Sequence, residues 1–201
     1  MDPCPMIPNQ AEFLEALRLV TAAFDKLGIQ YAVGGSYASS LYGEARATRD
    51  VDLIANVTGR HAGPLVAALG PQFYADEAQI TAAARDQVSF NLIHIDSMSK
   101  IDVYLVWRTD FGATQLARRR PTQVGSDSPL ALYVTSPEDT ILAKLDWYRQ
   151  GGEQSDRQWR DVLGVLRVQA KALDRIYLDD WAKRLGLSDL FTRAIQAAER
   201  L

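Results

Sequence analysis

The chain has 201 residues, 47% of them hydrophobic, and its 22 basic and 25 acidic side chains give a net charge of −3 and a pI near 5.4. That is enough chain for one sizeable core with a smaller appended unit, and it lacks the global basic field that advertises nucleic-acid binding. The single cysteine, Cys4, excludes an internal disulfide and a Cys-based zinc site. No apolar run approaches the roughly 18–20 residues of a membrane span, and no basic-then-apolar leader opens the chain, so a globular protein of the reducing cytoplasm is expected.

In chain order, the first element is an amphipathic helix in "NQAEFLEALRLVTAAFDKLG", with Phe13, Leu17, Val20, Phe24 and Leu27 at spacings of three and four and Gly28 closing it. "QYAV" is short, β-prone and stopped by Gly34-Gly35, and "SYASSLYG" is a brief helix ended by Gly43. "RDVDLIA" alternates as a strand. Thr58 to Leu69 look helical, with Pro64 in a first turn or at a kink. "VSFNLIHI" and "KIDVYLVW", separated by "DSMS", predict a hairpin.

From Thr135 the pattern becomes helical. Ser136 before Pro137 and two acids is a helix-start signature, and Ile141, Leu142, Leu145 and Tyr148 form the stripe behind it. Gly151-Gly152 breaks that helix. Ser155 and Gln158 suit a capping box for the next, lined by Trp159, Val162, Leu163 and Leu166. Two further helices are expected over 173–185 and 189–200. The plan is an α/β (α+β) chain: a mixed β-sheet flanked by helices over 1–125, then a helical C-terminal subdomain over 126–201.

Strand alternation presents Asp50 and Asp52 on one face while Val51 and Leu53 point to the other. In "KIDVYLVW" it opposes Asp102 to Ile101, Val103 and Leu105, with Lys100 and Tyr104 beside Asp102. If the two strands are neighbours, three carboxylates converge, and they repel unless a cation sits among them. Mg2+ or Mn2+ suits that need, taking carboxylate and phosphate oxygens in octahedral geometry. Gly34-Gly35-Ser36 supplies the complement, since glycine lets backbone N–H groups approach a phosphate and the following helix turns its positive end toward the anion. The ligand that matches both is a metal-bound NTP.

"VGGS", a spacer over 37–49, "DVDL" and the later "IDV" at 101–103 resemble the DNA polymerase β-like nucleotidyltransferase superfamily. The form of residues 34–53 is similar to small bacterial nucleotidyltransferase-like proteins that include the AbiEii-type abortive-infection toxins. "SPEDTILAKLDWYRQ" and "RQWRDVLGVL" extend the likeness, which covers most of 30–168. The resemblance implies a nucleotidyltransferase fold and NMP transfer from an NTP with release of pyrophosphate. By it, Asp50, Asp52 and Asp102 are catalytic and bind the metal, while Gly34, Gly35, Ser36, Arg46, Arg49, Lys144 and Asp161 bind the nucleotide. It leaves open the acceptor, whether tRNA or other RNA, protein or a small molecule, and a cognate antitoxin as partner. The second Asp of the toxin-type "RD" segment is absent, with Gly164 and Val165 standing in its neighbourhood.

Each of these residues also has an ordinary explanation. Ser36 fits a helix cap, a phosphate contact or both; Arg46 and Arg49 fit solvated charges or partners of Asp50; Lys144 fits a stem laid on the protein with its charge in water. Lys100 balances Asp102. His61 and His94 lack a second ligand at metal spacing and read as structural. Trp147, Trp159 and Trp181 fall at helix-stripe spacings and are expected in the core, and "ARRR" at 117–120 is the one basic cluster.

Overall fold

The structure, a computed structural model, describes residues 10–45, 50–106, 109–124 and 129–200. Helix α1 (Gln10–Lys26) lays Phe13, Leu17, Val20 and Phe24 onto the core, and Gly28 ends it at φ +68°. Strand β1 (Tyr31–Val33), helix α2 (Gly35–Tyr42) and strand β2 (Asp50–Ala55) follow as the alternation predicts. The expected helix over 58–69 is a short 3-10 turn, Gly59–His61, continuing into α3 (Ala62–Leu69), with Pro64 in the first turn of α3. Strands β4 (Ser89–His94) and β5 (Ser99–Tyr104) form the predicted hairpin.

Several elements carry no sequence expectation. Strand β3 (Phe73–Tyr74) is too short for a period to show. Helix α4 (Glu77–Asp86) starts at Asp76, whose side chain accepts the Gln79 N–H, and α5 (Asp110–Ala117) starts at Thr109, which accepts the Gly112 N–H. Strand β6 (Arg120–Val124) contains Pro121 and is mostly polar, which an edge strand tolerates and a central one does not. It pairs antiparallel with β7 (Leu130–Val134).

The seven strands make one mixed sheet in the order β3-β4-β5-β2-β1-β7-β6. β2 runs parallel to β5 and β1 parallel to β7, while the other pairs are antiparallel. The sheet therefore runs on past residue 125 to Val134, and the helical run begins at Pro137. There α6 (Pro137–Gln150) is capped by Ser136, α7 (Asp156–Gln169) by Ser155 and α8 (Arg175–Arg184) by Asp174, and α9 (Ser188–Ala198) closes the set. One apolar core joins α1, α3 and α4 to the face of the sheet that carries Val51, Leu53, Ile101 and Val103. A separate one joins α6 to α9 around Leu142, Leu145, Trp181 and Phe191. No helix among the described residues is long and apolar enough to cross a membrane.

Candidate active site

Parallel pairing of β2 and β5 sets Asp50 opposite Lys100 and Asp52 opposite Asp102. Because Val51, Leu53, Ile101 and Val103 are buried in the core beneath, the alternating residues Asp50, Asp52 and Asp102 rise together on the other face. All three line a cavity of about 300 Å³, with Ser36 from α2, Lys144 from α6, and Ser155, Arg157 and Gln158 at the start of α7.

The glycine turn is shaped around Asp52. Gly34, not Ser36, is the cap residue of α2, and its N–H donates to the Asp52 carbonyl at 2.8 Å. Gly35 has φ +54°, and a Cβ there would lie 1.8 Å from Asp52 Oδ2, so glycine is required both by conformation and by contact. A Cβ on Gly34 would meet only ordinary contacts, Thr135 Cγ2 at 3.7 Å being the nearest. Ser36 in the first turn donates its backbone N–H to Asp52. Burial pushes the Asp52 carboxyl above its ordinary range; Asp102 and Asp50 add to the push, and Lys144 and the Ser36 N–H oppose it. Lys100 holds Asp102 from the same face, its Nζ 2.8 Å from Oδ1 and 3.0 Å from Oδ2.

Lys144 is 5% exposed, which the snorkelling expectation for its helix position did not anticipate. Its Nζ is 2.7 Å from Asp161 Oδ2 on α7 and 3.5 Å from Ser36 Oγ on α2, so one ammonium ties three helices at the cavity wall. Asp161 reaches the site through that ammonium and does not itself line the cavity. Arg46 and Arg49 lie outside the described residues. Of the basic cluster, Arg118 and Arg120 pair with the buried Glu138, and Arg118 also lies over the Tyr177 ring, so these charges knit the end of α5 and the start of β6 to α6 and α8. His94 is buried beside Phe73 and bonded to Ser97. Trp181 is in the helical core, but Trp147 is half exposed against Tyr104. Sequence reasoning missed Arg157 and the second role of Ser155 and Gln158. The available signal was the Gly151-Gly152 break, which lets α7 start beside the cavity.

The donor set suits a hard divalent cation. It is all oxygen, it comes from neighbouring strands in register, and the repulsion at Asp52 is of the kind a cation relieves. Among the described residues no three His, Cys, Asp or Glu side chains are arranged to hold a metal as they stand. Lys100 engages both oxygens of Asp102, and Asp52 is turned against Gly35.

Sequence comparison matches no family model and no curated protein. Structural comparison does find similar folds. A nucleotidyltransferase-like antigen from Paracoccidioides brasiliensis superposes over 94% of this chain and 94% of its own, with a TM-score of 0.50 at 16% identity. The chain has a nucleotidyltransferase fold. ANT(2")-Ia, solved in complex with adenylyl-2"-tobramycin, gives a TM-score of 0.52 at 15% identity, over 88% of this chain and 97% of that one. At such identities the likeness speaks for the path of the chain, and the site must be argued from its own residues.

Proposed function

We propose that the protein is a Mg2+- or Mn2+-dependent nucleotidyltransferase that moves an NMP from an NTP to an acceptor hydroxyl or phosphate and releases pyrophosphate. The observation that carries this is the register of Asp52 against Asp102, with Asp50 on the same face, in one cavity with Ser36 at the start of α2 and Lys144 from α6. Asp50, Asp52 and Asp102 would hold the cation, which when bound neutralises the phosphate oxygens and the charge that develops on the leaving group. The N–H at Gly35, the Ser36 hydroxyl and the Lys144 ammonium would hold the β and γ phosphates. Asp102 Oδ1 or Oδ2 would take the acceptor proton as the new P–O bond forms and the bond to pyrophosphate breaks. The fold of ANT(2")-Ia, whose structure contains an adenylylated aminoglycoside, supports a hydroxyl acceptor on a small molecule as one class to test.

The test is label transfer from each α-labelled NTP, with Mg2+ or Mn2+, to a panel of tRNA, total RNA, protein, aminoglycosides and the protein itself. Transfer by the wild type that is abolished in Asp50→Ala and Asp52→Ala is the expected result. Tight NTP binding without transfer to any acceptor would instead indicate a binding module.

A further inference from the structure

Trp147 is half exposed and belongs to none of the three apolar clusters of the described residues. Tyr104 braces it: the ring centroids are 5.6 Å apart with the planes at 70°, the edge-on arrangement that aromatic quadrupoles favour. Both rings are tied to the carboxylate site by chain geometry. Tyr104 stands two residues beyond Asp102 on β5 and so shares its face; it pairs with Ile54, itself two residues beyond Asp52. Trp147 stands three residues beyond Lys144 on α6, about 4.5 Å farther along the axis and on an adjoining side of the helix. The aromatic pair therefore bridges β5 and α6 next to the residues that line the cavity.

An exposed indole beside such a site is a stacking surface. Lys144 approaches Ser36 at the glycine turn, where phosphates would lie, so a ring resting one helical turn away belongs to the same molecule as those phosphates. Resting on the nucleotidyltransferase reading, we propose that Trp147, braced by Tyr104, is the platform on which the base of the NTP stacks. Every base has a π-face, so this contact holds all four NTPs with little discrimination among them.

The Mg2+ complexes of the four NTPs and of inorganic tripolyphosphate, which has the phosphates without the base, are titrated calorimetrically into wild type, Trp147→Leu and Trp147→Phe. Trp147→Leu weakens the NTPs by about 5- to 100-fold and leaves tripolyphosphate unchanged. Trp147→Phe keeps NTP affinity within about three-fold but loses the NTP-induced change in tryptophan fluorescence, an arm that stands even if the leucine variant folds poorly. The inference is overturned if Trp147→Leu binds NTPs like the wild type, or if tripolyphosphate weakens as much as the NTPs do. Tripolyphosphate binding by the wild type in either case leaves the metal–triphosphate site standing; binding of neither ligand removes both proposals.

Discussion

Replacing Lys144 by methionine separates what this lysine does for the fold from what it does for a ligand. Its side chain is 6% exposed and that of its partner Asp161 9%, with 2.7 Å between Nζ and Oδ2. Removing one member of such a pair leaves a charge in a poorly solvated place, which costs about 3–5 kcal/mol, a large share of the roughly 5–15 kcal/mol that holds a domain together. Lys144→Met/Asp161→Leu removes both charges and keeps apolar volume on α6 and α7, so its stability returns to within about 2 kcal/mol of wild type. Urea unfolding of the wild type, both single variants and the double variant, at one pH and followed by far-ultraviolet circular dichroism, gives the four stabilities and their coupling. MgATP titration of the same four proteins gives the second readout, and there the double variant stays as defective as Lys144→Met because the phosphate-facing charge is gone. A cost below about 1 kcal/mol for Lys144→Met would show that the pair is not a buried tie. Recovery of MgATP binding in the double variant would show that Lys144 has no part in holding the ligand.

The two glycines of the turn should respond very differently to alanine: Gly35→Ala loses about 1–3 kcal/mol in urea unfolding, through its positive φ and the collision with Asp52, whereas Gly34→Ala stays within about 1 kcal/mol. Equal effects would contradict the assignment of Gly35 as the position that admits Asp52. Asp52→Asn raises the melting temperature in chelated buffer, because it removes a buried charge that Asp102 and Asp50 repel, while Mg2+ with ATP raises the melting temperature of the wild type only; a variant less stable than the chelated wild type would refute this. Lys100→Met removes the cation that occupies Asp102, and Mn2+ binding followed by calorimetry tightens by about two- to five-fold, in line with the roughly 0.5–1 kcal/mol of a part-exposed pair. Weaker Mn2+ binding in that variant would mean that Lys100 holds the carboxylate in place for the metal instead of competing with it.

The sequence made the carboxylate face legible because that face depends on a period of two. Asp50, Asp52 and Asp102 were placed by alternation alone, and the parallel pairing of β2 with β5 brought them together. Helices that start with a Ser or Asp cap and carry a regular stripe, α6 and α7 above all, were legible for the same local reason. What escaped depends on distance in three dimensions. The edge strand β6 reads as a polar segment because much of it faces water, and β7 is joined to the rest of the sheet through β1, a pairing distant in sequence. Trp147 has the spacing of a core residue, but the core of the helical half closes around Trp181 and Phe191 and leaves it outside. Lys144 has the spacing of a solvated lysine, and only the approach of α2 and α7 buries it.

That approach also fixes two glycines where the helices cross. α2 and α7 run side by side, tied by Gln169 to the Tyr42 carbonyl and by Arg167 to Glu44 at one end, and by Asp161, Lys144 and Ser36 toward the other. They are close enough that a Cβ on Gly43 would sit 2.8 Å from the Gly164 carbonyl carbon and the Val165 nitrogen, and one on Gly164 would sit 3.3 Å from the Glu44 nitrogen. A side chain at 43 would collide with the α7 backbone, and one at 164 would push against Glu44. The same crossing brings the start of α7, with Ser155, Arg157 and Gln158, to the cavity that holds Asp50, Asp52 and Asp102. Glycines at 43 and 164 set how near the helical half comes to the carboxylates.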